Sequence, residues 1–505
     1  MGLFNLVCVF MIVVQMGFWV SGNVVFKVHH KFSGSKKSLT VYKEHDSYRH
    51  RRILSAVDLP IGGDDSPTSA ALYFTKIKIG TPPRDYHVQI DTGSDLLWIN
   101  CAGCLTCPSE SDLGIPLALY DPLNSSSAKM ITCGQDFCSA RLDPSNSNCI
   151  IGSRCPYRVR YGDGSSTRGY FVRDTVQLDR VSGNLQTDSM KGTISFGCGS
   201  RQLGQLGATE QALDGILGFG QSNSSIISQL ASAKKVKKMF SHCLSGYKGG
   251  IYAIGEVVEP KVQTTPIMPN DEHFNIELMA MDVGGDFIDV PSSFLNTPSM
   301  RETIIDSGTT LAYFPDKVYN QLMEKIMDAQ PNAHFHITED DFMCTKYRRN
   351  VDYGFPVVTF HFADSLQLKV YPHQYLFRVR NKDWCIGFLS NGNNPHSSKD
   401  MTLLGDLVLT DKLVTYNMED HTIGWTDYNC KWLKLSPLPW LNWCEDGIND
   451  VGFVVVSGSS SIKVKDEETG RVYEVGAHDI SSSGRTCGPV FILMVFIMAT
   501  KMVMY

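Results

Sequence analysis

The 505-residue chain has no basic excess, no long low-complexity tract and no serine or cysteine nucleophile motif. Its net charge of −6 removes the main reason to expect nucleic acid as a partner, because phosphate binding needs a concentrated positive face. Without long biased runs, and with 43% hydrophobic and 19% charged residues, the composition is that of a globular protein, not a disordered or fibrous one. The histidines are scattered, His334 and His336 among them, and with no nucleophile motif beside them they read as surface or structural groups. No lysine or arginine precedes the first apolar stretch, residues 3–20, so the positive start usual for an export signal is missing. The boundary Val20-Ser21-Gly22 still fits a cleavage site, and residues 1–22 are read as a signal peptide. An uncleaved anchor is the alternative, since this stretch approaches the ~20 apolar residues that span a bilayer.

Either reading sends the rest of the chain into the secretory pathway, and the cysteines agree. Cys101, Cys104, Cys107, Cys133, Cys138, Cys149, Cys155, Cys198, Cys243, Cys344, Cys385 and Cys430 form an even set, read as six disulfides. The spacing of Cys101, Cys104 and Cys107 would also suit thiolate zinc ligands, but an oxidising compartment favours disulfides, and neither metal nor cofactor is expected. Cys444 is left over unless Cys487 survives to pair with it. Asn124-Ser125-Ser126 and Asn223-Ser224-Ser225 are glycosylation sequons.

The chain then divides by charge and pattern. Residues 23–69 are assigned to a propeptide: within them, residues 23–54 carry eight lysines or arginines against two acidic residues and include the dibasic Arg51-Arg52. A basic leader before an acidic body suggests an ionic mask, with a solvated arm as the alternative. The body reads as all-β, with short apolar runs punctuated by turn residues, and residues 317–329 as the clearest helix. An internal echo divides it further. The run Val88-Gln89-Ile90-Asp91-Thr92-Gly93-Ser94 recurs as Thr303-Ile304-Ile305-Asp306-Ser307-Gly308-Thr309. Each copy is followed later by two apolar residues and a glycine, Ile216-Leu217-Gly218 and Leu403-Leu404-Gly405. Two lobes follow, residues 70–248 and 249–445. Residues 446–483 are read as a stalk, in which residues 461–475 could close a small hairpin. Residues 484–505 form an apolar end. That end is short for a spanning helix. With Ser481, Ser482 and Ser483 upstream it fits a glycolipid (GPI) anchor signal, a tail helix being the alternative.

A duplicated Asp-Thr/Ser-Gly-Ser/Thr has a chemical meaning. Amide hydrolysis needs a water deprotonated as it attacks and an acid for the carbonyl oxygen and leaving nitrogen. Two neighbouring carboxyl groups supply both, because like charges resist ionising together and the pair shares a proton. Asp91 and Asp306 are the candidates. Gly93 and Gly308 permit a tight turn against the carboxylate. Ser94 and Thr309 can hydrogen-bond the outer carboxylate oxygens, and Thr92 and Ser307 can bond across the lobe junction. One such motif would be a surface turn; two at matching lobe positions are a dyad.

These residues resemble the pepsin-like aspartic proteases, and within them the plant, nepenthesin-like branch, across roughly residues 72–430. The likeness rests on Ile79-Gly80-Thr81-Pro82-Pro83, the two aspartate motifs, Trp98, Tyr161-Gly162-Asp163-Gly164-Ser165, Phe196-Gly197-Cys198-Gly199, residues 215–220 and Ile423-Gly424-Trp425. The cysteine-rich residues 101–155 look like that branch's insertion, and the C-terminal end is that of a GPI-anchored member. The resemblance implies a bilobal fold of two orthogonally packed β-barrel lobes with the active-site cleft between them. It also implies a flap tipped by Tyr161 and oriented by Trp98, and an extended polypeptide substrate in the cleft. A core role is the alternative for Tyr161. The expected protein is a monomeric, acid-optimal endopeptidase, secreted or held on the outer cell surface. A binding protein on the same scaffold is the rival, and it predicts a broken motif. The interval between Asp306 and Leu403 leaves no room for the saposin-like insert of some plant relatives.

Overall fold

The computed structural model describes residues 24–30, 73–430, 460–465 and 471–476. Short interruptions within these fall at 114, 141–148, 162–163, 185, 210–211, 247–248, 270–272, 290–301, 340, 381–382 and 392–399. The expected signal peptide, most of the leader, Cys444, Cys487, Ser481, Ser482, Ser483 and the apolar tail lie outside the described residues.

Period-two alternation builds most of the body. Strand Tyr73–Ile79 buries Tyr73, Ile77 and Ile79 and exposes Lys76, and it pairs antiparallel with Arg84–Asp91. Among the described residues the strands form sheets of fourteen, eight, four and three, so the class is all-β. Among the described residues the longest helix, Asp316–Asp328, buries Val318, Leu322, Met323 and Ile326, which share one face at helical spacing. No helix among the described residues is long and apolar enough to cross a membrane.

The repeated motif is also a repeated structure. Strand Arg84–Asp91 runs parallel to Gly215–Gly218, with Asp91 opposite Gly218, and Gly215–Gly218 pairs on its other side with Trp98–Asn100. In the second lobe Glu302–Ile305 runs parallel to Thr402–Leu404, which pairs on its other side with Ala312–Phe314. The glycines that end the two apolar-apolar-Gly signatures are there for space. A Cβ on Gly218 would lie 2.6 Å from the Ser94 carbonyl oxygen, and one on Gly405 would lie 2.3 Å from that of Thr309. The loop after each aspartate passes directly over these backbones.

The lobes share strands. Met239–Leu244 pairs with Lys412–Asn417, which pairs with Thr422–Asp427, so the last strands of the second lobe extend the sheet of the first. Strand Val24–His30, within the segment expected to be a leader, lies in the same sheet. Its residues 24–27 pair with 251–254 and its residues 28–30 with 73–75.

All twelve cysteines of the body are paired: Cys101–Cys198, Cys104–Cys107, Cys133–Cys149, Cys138–Cys155, Cys243–Cys430 and Cys344–Cys385. Pairing Cys101 to a strand 97 residues away takes it out of any zinc set with Cys104 and Cys107.

Part of the expected stalk belongs to the body. Strands Ser461–Lys465 and Val472–Gly476 form a hairpin that adds to strand Val257–Glu259. Ile462, Val464 and Val475 are buried against Val181, Cys243, Ile251 and Leu413. Apolar alternation in Ser461–Lys465 is the cause: a strand with one oily face must bury it somewhere.

Candidate active site

Each half of the site is an apolar strand that delivers an aspartate to a turn. Val88 and Ile90 anchor the first strand in the core and Ile304 and Ile305 the second, and both Asp91 and Asp306 are fully buried. The turn then folds its own donors back onto the carboxylate. Gly93 and Ser94 donate their amides to Asp91 Oδ1 at 2.9 and 3.1 Å. Gly308 donates its amide to Asp306 Oδ1 at 2.9 Å, and the Thr309 hydroxyl donates to Asp306 Oδ2 at 2.8 Å. Hydrogen bonds to a carboxylate are among the stronger ones a protein makes, so both side chains are held in a set orientation.

The two turns differ in one respect. Thr309 reaches its aspartate through the hydroxyl, whereas Ser94 does so through the amide, and the Ser94 hydroxyl has no hydrogen bond among the described residues. Only the second turn therefore has its hydroxyl held by its own aspartate.

Across the lobe junction Thr92 Oγ1 and Ser307 Oγ are 2.8 Å apart, and the Ser307 amide donates to Thr92 Oγ1 at 3.1 Å. Residues 215 apart in sequence are thereby joined between the two aspartates. This brings together Asp91, Thr92, Gly93, Ser94, Asp306, Ser307, Gly308 and Thr309. Trp98 and Tyr161 are a second group, in which the Trp98 indole N–H donates to the Tyr161 hydroxyl. Both rings are buried in a cluster with Leu96, Tyr157, Phe171 and Ile216. Gly162 and Asp163 lie outside the described residues. Asn124 and Asn223 are both exposed at the surface.

Beneath the junction lies a layer that sequence reasoning missed. The Tyr416 hydroxyl hydrogen-bonds the side chains of Thr92 and Ser307, and His242 Nε2 lies 3.1 Å from it. Burial pushes the Tyr416 hydroxyl well above the usual phenol range, with the charge of Asp306 adding to the effect. Tyr252 is pushed up too, first by burial and then by Tyr416 and Asp91. Burial lowers His242 to about 3. The phenols stay protonated and the imidazole neutral, so the two aspartate turns rest on an uncharged polar floor. The one signal in the sequence is a pair of polar residues inside apolar strands, His242 before Cys243 and Tyr416 after Thr415, and nothing marks them as neighbours.

The arrangement finds relatives. Residues 73–256 match the family described as Xylanase inhibitor N-terminal and residues 273–427 the one described as Xylanase inhibitor C-terminal. Aspartic proteinase 36 of Arabidopsis thaliana is 49% identical over 476 residues, covering 94% of this chain and 92% of its own. Aspartic proteinase 39 of the same plant is 45% identical over 480 residues, covering 95% and 93%. Aspartic proteinase nepenthesin-2 of Nepenthes gracilis is 32% identical over 293 residues, covering 55% and 61%. Among solved structures, conglutin gamma from lupine seeds superposes with a TM-score of 0.58 at 16% identity, covering 80% of this chain and 95% of its own. The soybean basic 7S globulin does so at 0.57 and 16%, covering 81% and 97%. The two globulins share the fold with this chain.

Proposed function

The chain belongs to the plant pepsin-like aspartic proteases and is an aspartic-type endopeptidase, and from that premise we propose that Asp91 and Asp306 activate a water between them to hydrolyse peptide bonds in acid. The observation that carries this reading is the Thr92–Ser307 junction, which ties two intact aspartate turns into one buried site. One carboxylate takes a proton from the water as its oxygen attacks the scissile carbonyl carbon, and the partner's carboxyl proton goes to the carbonyl oxygen. The tetrahedral intermediate then collapses, with the C–N bond breaking and a proton passing to the leaving nitrogen. The two carboxyl groups are best described by their joint titration, and that sharing of one proton is the reason to expect activity at acid pH.

The substrate is a polypeptide held as an extended strand, covered by the hairpin that carries Tyr161. Trp98, bonded to the Tyr161 hydroxyl, orients that ring. The protein acts as a monomer after export, secreted or held outside the cell by a glycolipid on Ser481, Ser482 or Ser483, with residues 1–22 removed as the signal and 23–69 as the propeptide. Asn124 and Asn223, both exposed, carry glycans.

The test is cleavage of a generic protein substrate between about pH 3 and 7, the range in which such a dyad titrates. Wild type is compared with Asp91→Asn, with and without pepstatin. Pepstatin-sensitive activity that rises in acid and disappears in the variant is expected. A folded, leader-free protein with no activity at any of these pH values would turn the scaffold into a binding protein.

A further inference from the structure

Strands Pro156–Arg160 and Ser166–Gly183 form the hairpin that leads to Tyr161, and strand Gln186–Leu203 pairs beside it. Its inner face is packed: Tyr157 bonds Thr167 at 2.9 Å, and the buried Gln202 donates to Asn100. Its outer face is a line of like charge. Arg158 stands directly opposite Arg168, and Arg168 directly opposite Arg201, so three guanidinium groups lie in one cross-strand row on the same side of the sheet. Arg160 extends it two residues along the first strand, and all four are exposed. Arg154 sits over the Tyr170 ring at 4.7 Å at the other end.

Like charges directly opposite each other on a sheet oppose its formation. None of these arginines is in an ion pair among the described residues, although the chain as a whole is acidic. The arrangement therefore works against the isolated protein and is relieved by an anion laid across it.

We propose that this outer face is a binding strip for a linear acidic polysaccharide, whose successive carboxylates are taken by Arg158, Arg168 and Arg201. The guanidinium fork donates two parallel N–H···O bonds to a carboxylate, which an ammonium cannot match. The row advances one strand at a time, about 4.8 Å per step. That step is comparable with one sugar unit of an extended chain, and the long arginine side chains can reach carboxylates that point to either side of such a chain. Tyr170, on this face, is half-buried beneath Arg154, and among the described residues of these three strands no aromatic ring is exposed to anchor a protein partner. Among the described residues of these three strands Leu203 is the one large apolar side chain that is exposed, at 41%, so they offer no run of such side chains to a bilayer. A mainly ionic strip fits a polymer whose charge repeats at regular intervals. Binding there would hold the protein on an anionic matrix by the back of the hairpin.

The probe is polygalacturonate, with fully methyl-esterified polygalacturonate, polyglutamate and phosphatidylserine vesicles as comparisons, each in binding measurements across a salt series. Wild type is expected to bind polygalacturonate with an affinity that falls steeply with salt, and to ignore the esterified polymer. The triple variant Arg158→Gln, Arg168→Gln, Arg201→Gln should lose at least about tenfold in affinity while melting no lower than wild type, since it relieves the repulsion along the row, and while keeping its cleavage of a short soluble peptide. Lys235→Gln with Lys261→Gln, which removes as many exposed charges but one elsewhere on the surface, should leave binding intact. Absence of wild-type binding at moderate salt, or equal loss in the lysine variant, overturns the strip. Equal or tighter binding to polyglutamate or to the vesicles overturns the assignment to a polysaccharide. If the triple variant unfolds, the single variant Arg168→Gln, read in the same assay, decides between these outcomes.

Discussion

His242 should make the protein less stable in acid, the medium in which it is proposed to work. Its ring is fully buried against Tyr416 and Tyr252, and its Nδ1 has no hydrogen-bond partner among the described residues. Burial lowers it from 6.5 to about 3, so it stays neutral in the folded protein while the unfolded chain takes up a proton below pH 6.5. The unfolded state binds the extra proton, so stability falls as pH falls. The contribution is complete above pH 6.5 and is lost progressively toward pH 3, at about 1.4 kcal/mol for each pH unit. Between pH 7 and pH 4 this one group should remove about 3 kcal/mol, a large part of the 5–15 kcal/mol that usually holds a domain folded. Glutamine at this position does not titrate and can still bond the Tyr416 hydroxyl. Urea unfolding at pH 7 and pH 4, followed by tryptophan fluorescence, should show that His242→Gln loses about 3 kcal/mol less than wild type over that interval. Whatever the substitution costs in packing enters at both pH values and cancels. Equal losses in the two proteins would mean that the ring is not held neutral, and the account of an uncharged floor would be wrong.

Two further outcomes follow from other contacts. Thr92→Val keeps the volume but removes the hydroxyl that meets Ser307 and accepts its amide, leaving a buried donor unpaired at a cost of about 1–3 kcal/mol. Its mark in steady-state kinetics should be a fall in kcat with KM little changed, because the aspartate turns lose their common reference while the cleft keeps its shape; a selective rise in KM would count against this. Ile462→Ala empties a fully buried position in the C-terminal hairpin and should cost about 2–5 kcal/mol, read as a lower melting temperature. An unchanged melting temperature would return residues 461–476 to the role of a free stalk.

What could be read from the sequence was what repeats or alternates locally. The two aspartate motifs, the apolar-apolar-Gly signatures and the helix near residues 317–329 each carry their pattern within a few residues, and the structure sets each signature beside its motif. Long-range facts were less legible. Nothing near Cys101 says that its partner is Cys198, and nothing in Ser241-His242-Cys243 points to Tyr416, because sheet pairing over such separations leaves no local mark. The hairpin at residues 461–476 was visible as a hairpin. Its docking was not, since the surface that receives it is assembled from four separate stretches of chain. The cross-strand row of arginines was hidden for the same reason: Arg158, Arg168 and Arg201 become neighbours only when the register is known.

The leader strand Val24–His30 bears on how the protein comes to exist. It has partners on both sides, so cutting away the leader would leave two seams where there had been a continuous fabric, one along residues 251–254 and the other along residues 73–75. The form that folds and the form that acts would then be different hydrogen-bonded objects. The finished protein would have lost part of its own template, and once unfolded it could not be expected to find its way back unaided. Its lifetime would then be set by the height of the barrier to unfolding, with equilibrium stability no longer the measure.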